Sequence, residues 1–115
     1  AAGPGMTPAL AEGKPVTVPR PATIADGLTP PFVGALPLAV AQEALDGIVL
    51  VSDEEIMEAM RALLVRAKLY VEGSGAAATA ALLAGKVKLR EGSRVVAIVS
   101  GGNVDPERVL GLFGA

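Results

Sequence analysis

Three short stretches carry residue types that could do chemistry. Ser100-Gly101-Gly102-Asn103 directly follows the apolar run Val95-Val96-Ala97-Ile98-Val99. A hydroxyl and glycines at the carboxyl end of a strand match the place where open α/β sheets hold ligands, because glycine lets backbone approach a bound molecule closely. A tight turn would use the same residues, and spacing alone does not separate the two. Glu72-Gly73-Ser74-Gly75 opens a helical pattern. Free amides and the helix dipole could hold an anion there, or Ser74 could be a plain N-cap. Glu72 stands between an apolar residue and a glycine loop, which suits either a half-buried carboxylate or a solvated acid. Thr23-Ile24-Ala25-Asp26-Gly27 contains an Asp-Gly turn, by itself a sign of chain reversal only.

The composition removes other chemistry. The chain has no cysteine and no histidine, so disulfide frameworks, thiolate zinc sites and the commonest general base are all excluded. Its 115 residues, 51% apolar and 19% charged, allow one buried core and argue against disorder. Ten basic against twelve acidic side chains and three aromatic rings (Phe32, Tyr70, Phe113) speak against a nucleic-acid partner. No apolar stretch approaches the roughly 20 residues that span a bilayer, so a cytoplasmic chain is expected. The chain opens at Ala1 and its first methionine is Met6, the start expected of a fragment or a processed product.

These residues need elements to position them. Eight of the nine prolines fall within the first 37 residues, so residues 1–37 read as a Pro/Gly-rich arm. Within it, Pro8 to Glu12 forms a helical turn closed by Gly13, and Val16 to Val18 a short edge strand. Residues 38–115 read as the α/β portion of one incomplete domain. Pro37 suits a first helical position, Leu38, Ala41 and Leu45 recur at helical spacing, and Gly47 is the stop. Ile48 to Val51 is a continuous apolar run expected as a buried parallel strand. Ser52 with Glu55 forms a capping box, followed by a helix with Ile56, Met60, Leu63 and Ala67 on one stripe. Ala76 to Ala84 is an alanine-rich helix closed by Gly85, and Val95 to Val99 a second buried strand. Alternating strands and helices predict an α/β layer fold, a partial three-layer domain on a parallel sheet.

Read in order, four segments resemble the C-terminal part of the catalytic domain of threonine dehydratases, serine dehydratases and serine racemases. They are Thr23 to Leu28, Asp46 to Ile56, Val71 to Ala76 and Val99 to Asp105. The resemblance runs from about Met6 to Asp105. It implies a fold type II enzyme that binds pyridoxal phosphate in its large domain and eliminates water from threonine or serine, giving a 2-oxo acid and ammonia. By the same resemblance, Ser100 matches the serine whose hydroxyl faces the pyridine nitrogen of the cofactor. Glu72 matches a glutamate near that edge, Gly101 gives the ring room, and Gly27 lies in a segment approaching the substrate side.

The departures are as informative. The family's Schiff-base lysine lies in a Ser-Phe-Lys-x-Arg-Gly motif and its phosphate in a run of consecutive glycines, and neither occurs in these residues. Lys14, Lys68, Lys86 and Lys88 have other contexts. The resemblance therefore implies no catalytic residue here and a chain that is silent alone. The family's acidic cation site has Ala1-Ala2-Gly3-Pro4-Gly5 in its place, so no cation is expected. The regulatory domain of biosynthetic threonine dehydratases has no counterpart after Asp105, so the parent would resemble the shorter, catabolic form. The expected partners are a complementary N-terminal portion, further copies of the chain and a small amino-acid substrate, with no nucleic acid or membrane. Two other readings remain at this stage: a stand-alone α/β oligomerisation or interaction module with a vestigial cofactor site, and a small phosphate or nucleotide pocket.

Overall fold

The computed structural model describes residues 5–114. Five α-helices follow one another: α1 (Met6–Glu12), α2 (Ala35–Ala44), α3 (Asp53–Ala62), α4 (Gly73–Leu83) and α5 (Pro106–Gly111), with a 3-10 turn at Asp26–Leu28. The centre of the molecule is the packing of α3 on α4. Alternating acids and apolar residues give α3 one buried face, with Ile56, Ala59 and Met60 inside. Against it lie Ala76, Ala80 and Ala81 of α4, whose methyl side chains let the two helices approach closely. Ala25, Val51, Val71, Val109 and Leu112 complete the core.

The start of α3 is fixed as its sequence predicts. The Ser52 hydroxyl accepts the Glu55 amide (3.2 Å) and the Glu55 carboxylate accepts the Ser52 amide (2.7 Å). The Lys86 ammonium, 2.7 Å from Glu55, and next the Ser52 amide hold the Glu55 carboxyl below its ordinary value. Hydrogen bonding from Ser52 and from its own amide lowers Glu54 as well. The helix widens at its far end into a π turn, Leu63–Ala67, stopped by Lys68 at φ 61°. That extra residue per turn shifts the register, so Leu63 stays buried while Ala67, expected on the same stripe, is exposed.

Other boundaries move for identifiable reasons. The α1 helix ends at Gly13 with φ 68°, the left-handed stop expected there. The α2 helix begins at Ala35 rather than Pro37, because a proline in the first turn lacks only an amide that would have no helical partner anyway. It ends at Ala44, before Gly47, and Leu45 is exposed. The α4 helix begins at Gly73, three residues before Ala76, with Glu72 and not Ser74 at the cap.

The sheet is the larger difference. No strand occurs among the described residues, including Val16 to Val18, which keeps one backbone bond, from the Val18 amide to the Pro31 carbonyl (2.8 Å). Val51 is buried, but Ile48, Val49 and Leu50 are exposed, and so are Val95, Val96, Ile98 and Val99. No backbone hydrogen bond joins the two segments to each other. A buried parallel strand needs a neighbour on each edge and a layer on each face. The described residues span 43 × 37 × 18 Å. Among the described residues no helix is long and apolar enough to cross a membrane.

Candidate active site

Two loops meet at the start of α4. The first is residues 23–29. The Asp53 carboxylate accepts the Thr23 hydroxyl through Oδ1 and the Ile24 amide (3.2 Å) through Oδ2, while the Thr23 hydroxyl oxygen accepts the Ala25 amide (3.2 Å). Thr29 is buried, donates to the Asp26 carbonyl (2.6 Å) and accepts from Arg20 (3.0 Å). The second loop is residues 100–104. It is stitched to residues 70–72 by the Glu72 amide on the Gly101 carbonyl (3.3 Å), the Asn103 amide on Glu72 Oε2 (3.0 Å) and the Tyr70 hydroxyl on the Val104 carbonyl (2.7 Å).

Glycines set how closely these parts fit. A Cβ placed on Gly73 would lie 2.4 Å from the Ile24 carbonyl oxygen, and one on Gly75 only 1.5 Å from that of Ser100. The first turn of α4 therefore presses directly against both loops. Gly101 has φ 74°, and a Cβ there would lie 2.6 Å from Glu72 Oε1. At Gly27 a Cβ would meet Ser74 Oγ at 2.8 Å and Glu72 Oε1 at 3.8 Å.

The structure thus brings Gly27, Glu72 and Gly101 together around one carboxylate, with Ser100 next to Gly101 and its carbonyl against α4. The Ser100 residue is exposed, outside the packed core. Glu72 is half-buried, as the sequence allowed, and spends its carboxylate on the Asn103 amide rather than on capping α4. The hydroxyl of Ser74 is buried without a partner beside Gly27.

Two functional contacts escape a sequence reading. Asp53 looks like one more acid at the positive end of α3, yet it fastens the Gly27 loop. Its signal is that Ser52 and Glu55 already complete the cap, leaving Asp53 surplus. Tyr70 offered no signal, since its bond to Val104 joins residues 34 apart. Most of the Ala1 to Gly5 segment, where the cation expectation falls, lies outside the described residues.

Residues 1–101 match the family described as pyridoxal-phosphate dependent enzyme. The chain belongs to that family. Over 93 residues it is 50% identical to a catabolic L-threonine dehydratase of Staphylococcus aureus, an alignment covering 79% of this chain and 27% of that one. Its fold resembles maize serine racemase with a TM-score of 0.83 and 35% identity, covering 98% of this chain and 35% of the racemase. It also resembles the processed form of threonine deaminase isoform 2 from Solanum lycopersicum, with a TM-score of 0.82 and 32% identity over 98% of this chain and 31% of the deaminase. The chain thus spans about a quarter to a third of the length of these family members.

Proposed function

We propose that this chain carries the ring-nitrogen side of the active site of a pyridoxal-phosphate-dependent hydroxy-amino-acid dehydratase. Its reaction would be β-elimination of water from threonine or serine, giving a 2-oxo acid and ammonia. The observation that carries this reading is the convergence of Gly27, Glu72 and Gly101 on one carboxylate beside the exposed Ser100. The similarity to a threonine dehydratase and to a threonine deaminase supports the substrate class.

The donor set suits a flat heteroaromatic ring. Gly101, in a conformation that glycine favours, leaves the space that the Glu72 carboxylate occupies, which sets the Ser100–Asn103 loop beside it. When bound, the cofactor supplies an electron sink for the elimination. The Ser100 hydroxyl would face the ring nitrogen as a neutral group that, unlike a carboxylate, would not force a proton onto it. Glu72 holds the Ser100–Asn103 loop in place by accepting the Asn103 amide. Gly27 keeps its loop against α4, close to where the amino acid would enter.

None of the four lysines lies in the family's lysine motif. Lys86 is bound to Glu55 and to the Leu50 carbonyl (2.8 Å), Lys68 to the Val65 carbonyl, Lys14 pairs with Glu12, and Lys88 is exposed in the segment after α4. We assign that role to polypeptide outside these 115 residues, which would also complete a parallel sheet on residues 48–51 and 95–99. The assembled protein would be a cytoplasmic enzyme. Mixing the chain with a lysine-bearing portion of such a dehydratase, then following 2-oxobutanoate formed from threonine, tests this. Turnover is expected only in the mixture. Robust turnover by the chain alone, or an active mixture that Ser100→Ala leaves unchanged, would defeat the reading.

A second reading rests on the exposure of Leu36 (76%), Val96 (89%) and Ile98 (75%). Apolar surface of this kind is covered by association, so a self-associating module with a vestigial site accounts for the same residues. A stable oligomer of the chain that ignores the lysine-bearing portion would favour it.

A further inference from the structure

A separate cavity of about 130 Å³ lies behind the loops that carry Glu72 and Gly27. Its walls are Ile24, Met57, Met60, Val104 and Leu112, and its one charged lining residue is Arg108. Among the described residues the Arg108 guanidinium has no hydrogen-bond or ion-pair partner, in contrast to Arg61 on the neighbouring helix. Arg61 donates through Nε (3.0 Å) and Nη2 to the Leu112 carbonyl, pairs with Glu58 and lies over the Phe113 ring. Arg61 thereby holds the end of α5 as one wall, and Arg108 remains available to a ligand.

From these features we infer that the cavity binds a short aliphatic carboxylate of roughly four to six carbons. The size follows from the volume: an apolar cavity of about 150 Å³ accommodates benzene. This pocket, of about 130 Å³ and open to solvent on one side, takes an aliphatic chain of similar bulk. The charge follows from Arg108, the one charged residue in the lining, whose planar guanidinium fork matches a carboxylate. The chain of the ligand would lie on the two methionines, whose flexible thioethers adapt to different lengths. This site is distinct from the proposed cofactor edge but shares two elements with it. Gly73, which adjoins Glu72, and Ile24, in the loop of Gly27, both line it. The fit between Gly73 and the Ile24 carbonyl has no slack, so an occupant that moves either residue also moves the site. The inference stands whether or not the dehydratase reading does.

The three methionines provide the test. Met57 and Met60 line the cavity, whereas Met6 lies in α1 and serves as an internal control. Methyl-labelled methionine in the 115-residue chain is titrated with butanoate and hexanoate, and in parallel with the alcohols of equal length. Saturable shifts are expected at Met57 and Met60 but not at Met6. Because Arg108 is exposed, the acids should bind about threefold more tightly than the alcohols, the scale of a solvent-screened ion pair. Arg108→Leu should abolish the preference for acid while the alcohols still bind. Unmoved Met57 and Met60 signals, equal shifts at all three methionines, or equal binding of acid and alcohol would each overturn the inference. The acid and alcohol comparison on the unaltered chain stands even if Arg108→Leu misfolds.

Discussion

The two apolar runs of this chain begin alike and end differently. Val51 closes the first run inside the core that α3 and α4 form, with Ile56, Val71 and Ala76 in the same cluster. From Lys86 to Asn103, by contrast, every described residue except Ala97 is exposed. The run 95–99 is as rich in β-branched residues as 48–51, yet neither forms a strand. Strand propensity describes a fit to a pleated, half-buried surface, and without neighbouring strands there is no such surface to fit. Residues 23–29 and 51–83 carry their own partners. Residues 48–50 and 95–99 have the composition of a covered sheet without its cover.

If that contrast is right, substitutions in the packed region should be costly and those in the bare region nearly neutral for the chain alone. Ile56→Ala removes a side chain that is fully buried, and a loss of about 4 kcal/mol is expected in chemical denaturation. Gly75→Ala drives a methyl group into the Ser100 carbonyl, with an expected cost of about 3 kcal/mol and displacement of the 100–104 loop visible in amide spectra. Ser52→Ala loses one side of the capping box, an effect of about 1 kcal/mol.

A pH titration sharpens the same region. The Glu55 carboxyl sits below its ordinary value of 4.5 in the folded chain, so the stability it contributes is fully present above that value. It is lost as pH falls through the lowered folded value. Lys86→Met removes the largest cause, the Lys86 hydrogen bond, together with its charge, and should flatten the acid-side slope of unfolding free energy, with little change in that slope near neutrality. The smallest effect belongs to the bare region. Val96→Ser should change the stability of the isolated chain by less than about 0.5 kcal/mol while weakening association with a lysine-bearing portion. A large stability loss there would break the comparison.

Local signals were legible in the sequence and distant ones were not. Ser52 and Glu55 announce their cap because both partners lie within one turn, and Gly13 announces its stop because only local conformation is at issue. Glu72 could be singled out, but its choice of the Asn103 amide over the cap of α4 depends on a loop 31 residues away. The same distance hides the Asp53 clamp on Thr23. The apolar runs at 48–51 and 95–99 match a pattern that presumes covering layers. An apolar run specifies what it would do in a sheet, and does not specify that the sheet is present. The order of the four segments carried the family, since matching separations constrain far more than any one glycine loop.

The central claim is that the Ser100 hydroxyl meets the ring nitrogen of the cofactor. It is tested most directly by the nitrogen-15 resonance of ring-labelled pyridoxal phosphate in the chain combined with a lysine-bearing portion. The account predicts a neutral pyridine resonance with Ser100 in place and a shift to the protonated form with Ser100→Asp. A resonance that is the same in both would contradict it.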